Sequence, residues 1–192
     1  MSVIADNLRD NVRRMSALAE DAAFVDSFDR AAALMVTSLR AGGTLFACGN
    51  GGSMTNAQHF AEELTGRFRG DRPPLRAIAI SDPSHLTCVA NDYGYEFVFS
   101  KFIEALARPG DVLLALTTSG KSANVLRAAE AMKSAGGVVI ASSGPADTPV
   151  AAVADVALAL GENRWADRIQ ESELVVIHSF MQAIEDAFGY SA

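Results

Sequence analysis

Five short apolar runs punctuate the chain: TLFAC, RAIAI, DVLLALT, VVIASS and DVALAL. They are too short for core helices and too continuously apolar for strands wetted on one face, so they read as fully buried strands. Helical patterns separate most of them, among these MTNAQHFAEELTGRF, YEFVFSKFIEALA and SANVLRAAEAMKSA. That alternation predicts an α/β chain whose parallel sheet is covered by helices on both faces. Two further helical patterns come first, from Ile4 to about Ala19 and from Phe24 to about Arg40, and Gly42 and Gly43 end the second. A long helix from about Trp165 to Phe188 closes the chain. Neither a linker nor an internal repeat interrupts the pattern, which makes residues 1–192 one domain with a helical extension over about 1–41.

In open α/β sheets ligands bind beyond the carboxyl ends of the strands, and two strand ends here are chemically unusual. The first carries Gly49-Asn50-Gly51-Gly52-Ser53. Glycines permit positive φ and close backbone approach, and the following helix offers unpaired N–H groups to an anion. In dinucleotide-fingerprint register Met54 replaces the last glycine, so the turn is either a ligand contact or a plain tight turn. The second carries Thr117-Thr118-Ser119-Gly120-Lys121-Ser122. One hydroxyl suffices for a helix cap; four point to a phosphate cradle. The GKS fragment is no nucleotide P-loop, because Ala115 stands where that motif needs its first glycine.

His59 and Glu63 lie four residues apart on the predicted helix after the glycine turn, and Glu62 is three from His59. Such a pair can ligate a divalent metal or supply a base for carbon chemistry; the alternative is a solvated face with an incidental charge pair. On the closing helix Asp167, Gln170, Leu174 and His178 fall within about a quarter-turn of one another. Polar groups interleaved with Leu174, Ile177 and Met181 are unusual on a packed face, which makes His178 a candidate site residue, with a buried, satisfied histidine as the alternative. His85 in SDPSH falls in a loop and receives no role. Asn91-Asp92-Tyr93-Gly94 is a turn signal before a helix, with ligand contact as its functional reading.

Other classes recede. A net charge of −7 without a basic run argues against non-specific nucleic-acid or anionic-membrane binding. Two cysteines without CxxC spacing exclude a disulfide framework or zinc knuckle. The N-terminal residues lack the apolar core of a secretory signal, and no apolar run approaches a membrane span. The expectation is a cytoplasmic protein.

Taken in order, CGNGGS…QHFAEELTGRF, AIAISD, CVANDYGYEFVFS, GDVLLALTTSGKSANV and ADRIQESELVVIH resemble the phosphoheptose isomerase family of the sugar isomerase (SIS) fold. The resemblance implies a single SIS domain with a five-stranded parallel sheet in a flavodoxin-like three-layer arrangement, the N-terminal helices serving oligomerisation. It further implies an aldose–ketose isomerase that converts sedoheptulose 7-phosphate to D-glycero-D-manno-heptose 7-phosphate through an enediol(ate). This is the first step toward nucleotide-activated heptose for lipopolysaccharide or surface glycans. The family is a cytoplasmic homotetramer with active sites at subunit interfaces and one Zn²⁺ per subunit. Carried over, the metal ligands would be His59, Glu63, Gln170 and His178, with Glu63 and His178 catalytic. Substrate contacts would come from Asn50, Gly51, Gly52, Asn91, Asp92 and Gln170. Thr117, Thr118, Ser119 and Ser122 would hold phosphate, and Asp167 would support the site. Two departures stand out: Glu173 replaces a usual histidine, at a position expected to be peripheral, and the loop SSGPADTPVAA replaces a glycine-rich form. The competing reading is a non-catalytic tetrameric adaptor of the same fold that binds the replication-initiator protein. That relative keeps the GNG and QHF signatures but lacks the histidine matching His178.

Overall fold

Strands β1 (Leu45–Cys48), β2 (Ala77–Ala79), β3 (Val112–Thr117), β4 (Val138–Ser143) and β5 (Val156–Ala159) form one parallel sheet in the order β2-β1-β3-β4-β5. The computed structural model describes residues 2–190. Each apolar run supplies one strand, and its alternate residues feed opposite faces. Leu45 and Ala47 of β1, with Leu114 and Leu116 of β3, join one buried cluster; Phe46 and Cys48, with Leu113 and Ala115, join the other. This is the helix-covered parallel sheet expected from the alternation of runs and helices, in the five-stranded flavodoxin-like form that the family resemblance implies.

On the first face α2 (Ala22–Arg40), α3 (Gly52–Thr65) and α8 (Ala166–Phe188) pack over the sheet through Met35, Phe60, Leu64, Ile177 and Phe180. Phe28 of α2 stacks on Phe180 of α8 with ring centroids 4.7 Å apart, a contact worth about 0.5–1.5 kcal/mol beyond its area. On the second face lie α4 (Pro83–Asp92), α5 (Ser100–Leu106), α6 (Ala123–Ser134) and α7 (Pro149–Val153). Helix α1 (Val3–Glu20) buries none of its residues within the chain, and Val3, Ile4, Leu8 and Val12 are exposed.

Four local expectations change. His85 is not in a loop: SDPSH starts α4, with Asp82 as N-cap accepting from the His85 backbone N–H at 2.8 Å and Pro83 in the first turn. Its ring nitrogen Nε2 lies 2.9 Å from the Val98 carbonyl. The SSGPADTPVAA segment ends in a helix rather than staying a loop, because Thr148 caps α7 from Ala151 N–H and Pro149 follows it. The YEFVFSKFIEALA pattern splits into a 3₁₀ turn (Tyr95–Phe97) and the short α5, and Asn91 and Asp92 are the last residues of α4 rather than part of a free turn.

The chain leaves β1 for α3 on one face and β3 for α6 on the other, so a crevice opens beyond their carboxyl ends. Both unusual turns fall there.

Candidate active site

The glycine turn runs directly from β1 into α3. Gly51 sits at φ +55, which L side chains rarely adopt, and Gly52 lies beneath the amide of Gln170. A Cβ at Gly52 would stand 2.4 Å from Gln170 Oε1, so a larger residue there would displace the Gln170 amide from its place over the turn. Asn50 is committed on both sides of its amide: Nδ2 donates to Asn124 Oδ1 at 2.9 Å, and Oδ1 accepts from Asn124 Nδ2 at 2.8 Å and from Tyr95 O–H at 3.0 Å. These bonds tie the glycine turn to the start of α6. Beneath the turn, the Cys48 thiol is pushed up to about 12 by complete burial and is inert at neutral pH.

One helical face then carries the candidate metal-binding and acid–base groups. His59 Nδ1 lies 2.9 Å from Glu62 Oε1, and donation there leaves Nε2 pointing at Glu63 Oε1, 3.4 Å away. His178 of α8 brings its own Nε2 to 2.8 Å from His59 Nε2. Ligand atoms of His59, Glu63 and His178 all lie within 4.8 Å of one another. Phe68 stacks against the outer side of the His178 ring, with centroids 5.8 Å apart. Two imidazole nitrogens and a carboxylate oxygen that converge in this way form a donor set suited to a divalent cation, and one chain suffices to assemble it. Gln170 stands toward the start of α3, over Gly52, roughly two helical turns before His59.

The hydroxyl turn is built differently. Ser122 occupies the N-cap position of α6, yet its side chain caps nothing. Its Oγ lies 3.1 Å from Thr117 Oγ1, while Ser119 Oγ accepts from the Lys121 backbone N–H at 3.2 Å. Thr118 and Ser119 line a cleft of about 470 Å³ together with Lys121 and Arg164. The remaining candidates are surface groups. Asn91 Nδ2 donates to Asp92 Oδ1 at 2.7 Å, and Asp167 Oδ2 accepts from Arg168 at 3.0 Å.

Sequence reasoning missed two buried groups. Glu173, expected to be peripheral, is 1% exposed and lies between α8 and α3. Ser53 Oγ reaches its Oε2 at 3.0 Å, as does Asn56 Nδ2. Burial pushes this carboxyl up to about 7, against those two hydrogen bonds. Arg72, 8% exposed, pairs with Glu185 at 2.9 Å and donates to the Glu63 and Leu64 carbonyls, capping the helix end that carries Glu63. Acid or base burial depends on tertiary neighbours, and no local pattern announced either one.

Fold and site together define a sugar isomerase–type α/β domain, and the SIS domain model matches residues 8–144. Phosphoheptose isomerase from Tolumonas auensis is 51% identical over 165 residues, covering 86% of each chain. That from Serratia proteamaculans is 47% identical over 183 residues, covering 95% of each. Among solved structures, a phosphoheptose isomerase from Neisseria gonorrhoeae superposes with a TM-score of 0.88 at 38% identity, covering 95% of this chain and 97% of that one. Its counterpart from Francisella tularensis gives 0.89 at 32%, covering 95% and 96%. The chain belongs to the phosphoheptose isomerase family of SIS-domain proteins.

Proposed function

We propose that the protein interconverts sedoheptulose 7-phosphate and D-glycero-D-manno-heptose 7-phosphate, and so begins the supply of nucleotide-activated heptose for lipopolysaccharide or surface glycans. The observation that carries this reading is the convergence of His59 and Glu63, on the helix launched by the glycine turn, with His178 on the helix packed against it. Thr117, Thr118, Ser119 and Ser122 hold the phosphate, aided by backbone N–H groups at the start of α6. Gly51 and Gly52 let the sugar approach the backbone, with Asn50, Asn91, Asp92 and Gln170 as further contacts and Asp167 in support. Asn50 acts by ordering the turn, since its amide is already engaged.

Isomerisation removes the proton from C1 of the ketose, forms an enediol(ate), and returns a proton to C2. Glu63 takes and returns the carbon-bound proton, and His178 serves the oxygens. Glu62 fixes the ring orientation of His59, and the Arg72 cap fixes the helix end under Glu63. The donor set fits one Zn²⁺ per subunit, which His59, Glu63 and His178 would hold; Gln170, roughly two helical turns away over Gly52, would have to turn toward it to serve as fourth ligand. When bound, zinc polarises the carbonyl and hydroxyl oxygens.

The chain works as one SIS domain, residues 1–192, in a cytoplasmic homotetramer with sites at subunit interfaces. The exposed apolar residues of α1, within the helical extension over about 1–41, support that assembly. No helix among the described residues is long and apolar enough to cross a membrane. The adaptor reading is not favoured, because His178, which it would lack, faces His59 directly.

The test is turnover of sedoheptulose 7-phosphate by purified protein, before chelation, after it and after zinc is restored, with mass and metal content measured in solution. Activity lost on chelation and regained with zinc, from a tetramer holding one zinc per subunit, is expected. Folded, zinc-loaded protein that forms no aldose would overturn the reading.

A further inference from the structure

The α3–α8 packing joins the two halves of the site: His59 and Glu63 stand on α3, Gln170 and His178 on α8. Between Gln170 and His178, α8 buries one ionisable side chain against α3, Glu173. Its two oxygens meet Ser53 Oγ at 3.3 and 3.0 Å, and Oε2 also accepts from Asn56 Nδ2 at 3.0 Å. The same Asn56 amide donates to the Gln170 backbone carbonyl at 3.1 Å. Ser53 follows Gly52 directly, and Asn56 is one turn before His59–Phe60. Among the described residues no cation pairs with Glu173, so ion pairing does not explain a buried acid here. Burying a carboxyl group without a cation is unfavourable unless hydrogen bonds satisfy its oxygens. Here they join the exit of the glycine turn, the first two turns of α3 and the Gln170 turn of α8.

We propose that Glu173 is a positioning residue: through Ser53 and Asn56 it sets the register of α3 on α8, and with it the spacing of the His59/Glu63 pair from Gln170 and His178. The inference rests on the proposed isomerase reading. An apolar side chain of similar size would fill the seam but would leave Ser53 and Asn56 buried without their acceptor, free to turn toward other partners. The hydroxyl turn lies on β3 and α6 and takes no part in the clasp.

The experiment compares wild type, E173Q and E173A for Co²⁺ affinity by visible absorption and for kcat and KM with sedoheptulose 7-phosphate. Secondary-structure content is checked by circular dichroism. The amide of E173Q keeps an acceptor for Asn56 and a partner for Ser53, so its Co²⁺ affinity and kcat should stay within about threefold of wild type. E173A should bind Co²⁺ about tenfold more weakly or worse, in the range for lost outer-shell partners, and lose kcat to a similar degree, with KM within about threefold. If E173A does not fold, S53A removes the same bond from the α3 side and should show the same split in weaker form. Wild-type Co²⁺ affinity and kcat in folded E173A, with only a lower Tm, would reduce Glu173 to a packing role and overturn the inference. Failure of wild type itself to bind Co²⁺ or to isomerise the substrate would instead overturn the isomerase reading.

Discussion

The turns after β1 and β3 lie side by side at the switch point, yet they deploy their polar groups in opposite ways. In the glycine turn the side chains are already engaged: Asn50 with Asn124 and Tyr95, Ser53 with Glu173. Little but backbone and the helix beyond it is left to meet a ligand. In the hydroxyl turn Thr117 and Ser122 hold only each other, and Ser122 declines its capping role. One turn is locked so that the side chains it launches are held in place; the other keeps its hydroxyls ready for an anion. Chemistry and phosphate binding should therefore separate kinetically when each turn is perturbed.

The largest effect should come from Glu63→Gln, which keeps the shape and removes the proposed base. A fall in kcat of about 10²–10⁴-fold with KM nearly unchanged is expected from steady-state kinetics. Full turnover would assign the base elsewhere. Next comes Gly52→Ala, whose Cβ would meet the Gln170 amide at 2.4 Å. Since the amide is the free end of a flexible side chain, it should move aside, leaving Tm nearly unchanged while kcat drops about ten- to hundredfold through misplacement. Equal losses of Tm and activity would mean that the contact is structural only.

Ser119→Ala combined with Ser122→Ala tests the other turn. KM for the phosphorylated sugar should rise about tenfold or more, as expected when hydrogen bonds to a charged group are lost, with kcat within about threefold. Unchanged KM would move the phosphate site. The smallest effect concerns stability. Because the folded-state pKa of Glu173 is raised to about 7, from 4.5, the folded state retains a proton that the unfolded chain has released between those values. Stability should fall as pH rises through that window. Urea unfolding of Glu173→Gln against wild type should therefore shift in the variant's favour from pH 4.5 to 8, by at most about 3 kcal/mol. A difference that does not vary with pH would place the carboxyl closer to its ordinary range.

The features legible in the sequence are those encoded locally. Apolar runs gave the strands, the i, i+4 spacing put His59 and Glu63 on one face, and the surplus of hydroxyls marked the second turn. His178 was legible because polar groups recurred along a packed helix. Asp82-Pro83 and Thr148-Pro149 were read as loop signals although each is a capped helix start, because proline marks both a break and a first turn. Glu173, Arg72 with Glu185, and the Asn50–Asn124 pair lay beyond reach, since their partners are distant in sequence. Glu173, expected to be peripheral, is buried against the usual tendency of acids to face solvent.

The most direct test of proton transfer at this site is to run sedoheptulose 7-phosphate with metal-replete protein in deuterated water and read the aldose by NMR. Deuterium at C2 of the product, formed at least a hundredfold more slowly by Glu63→Gln, is the result predicted for an enediol(ate) served by Glu63. Product that retains protium throughout, or no product from folded, metal-replete protein, would contradict it.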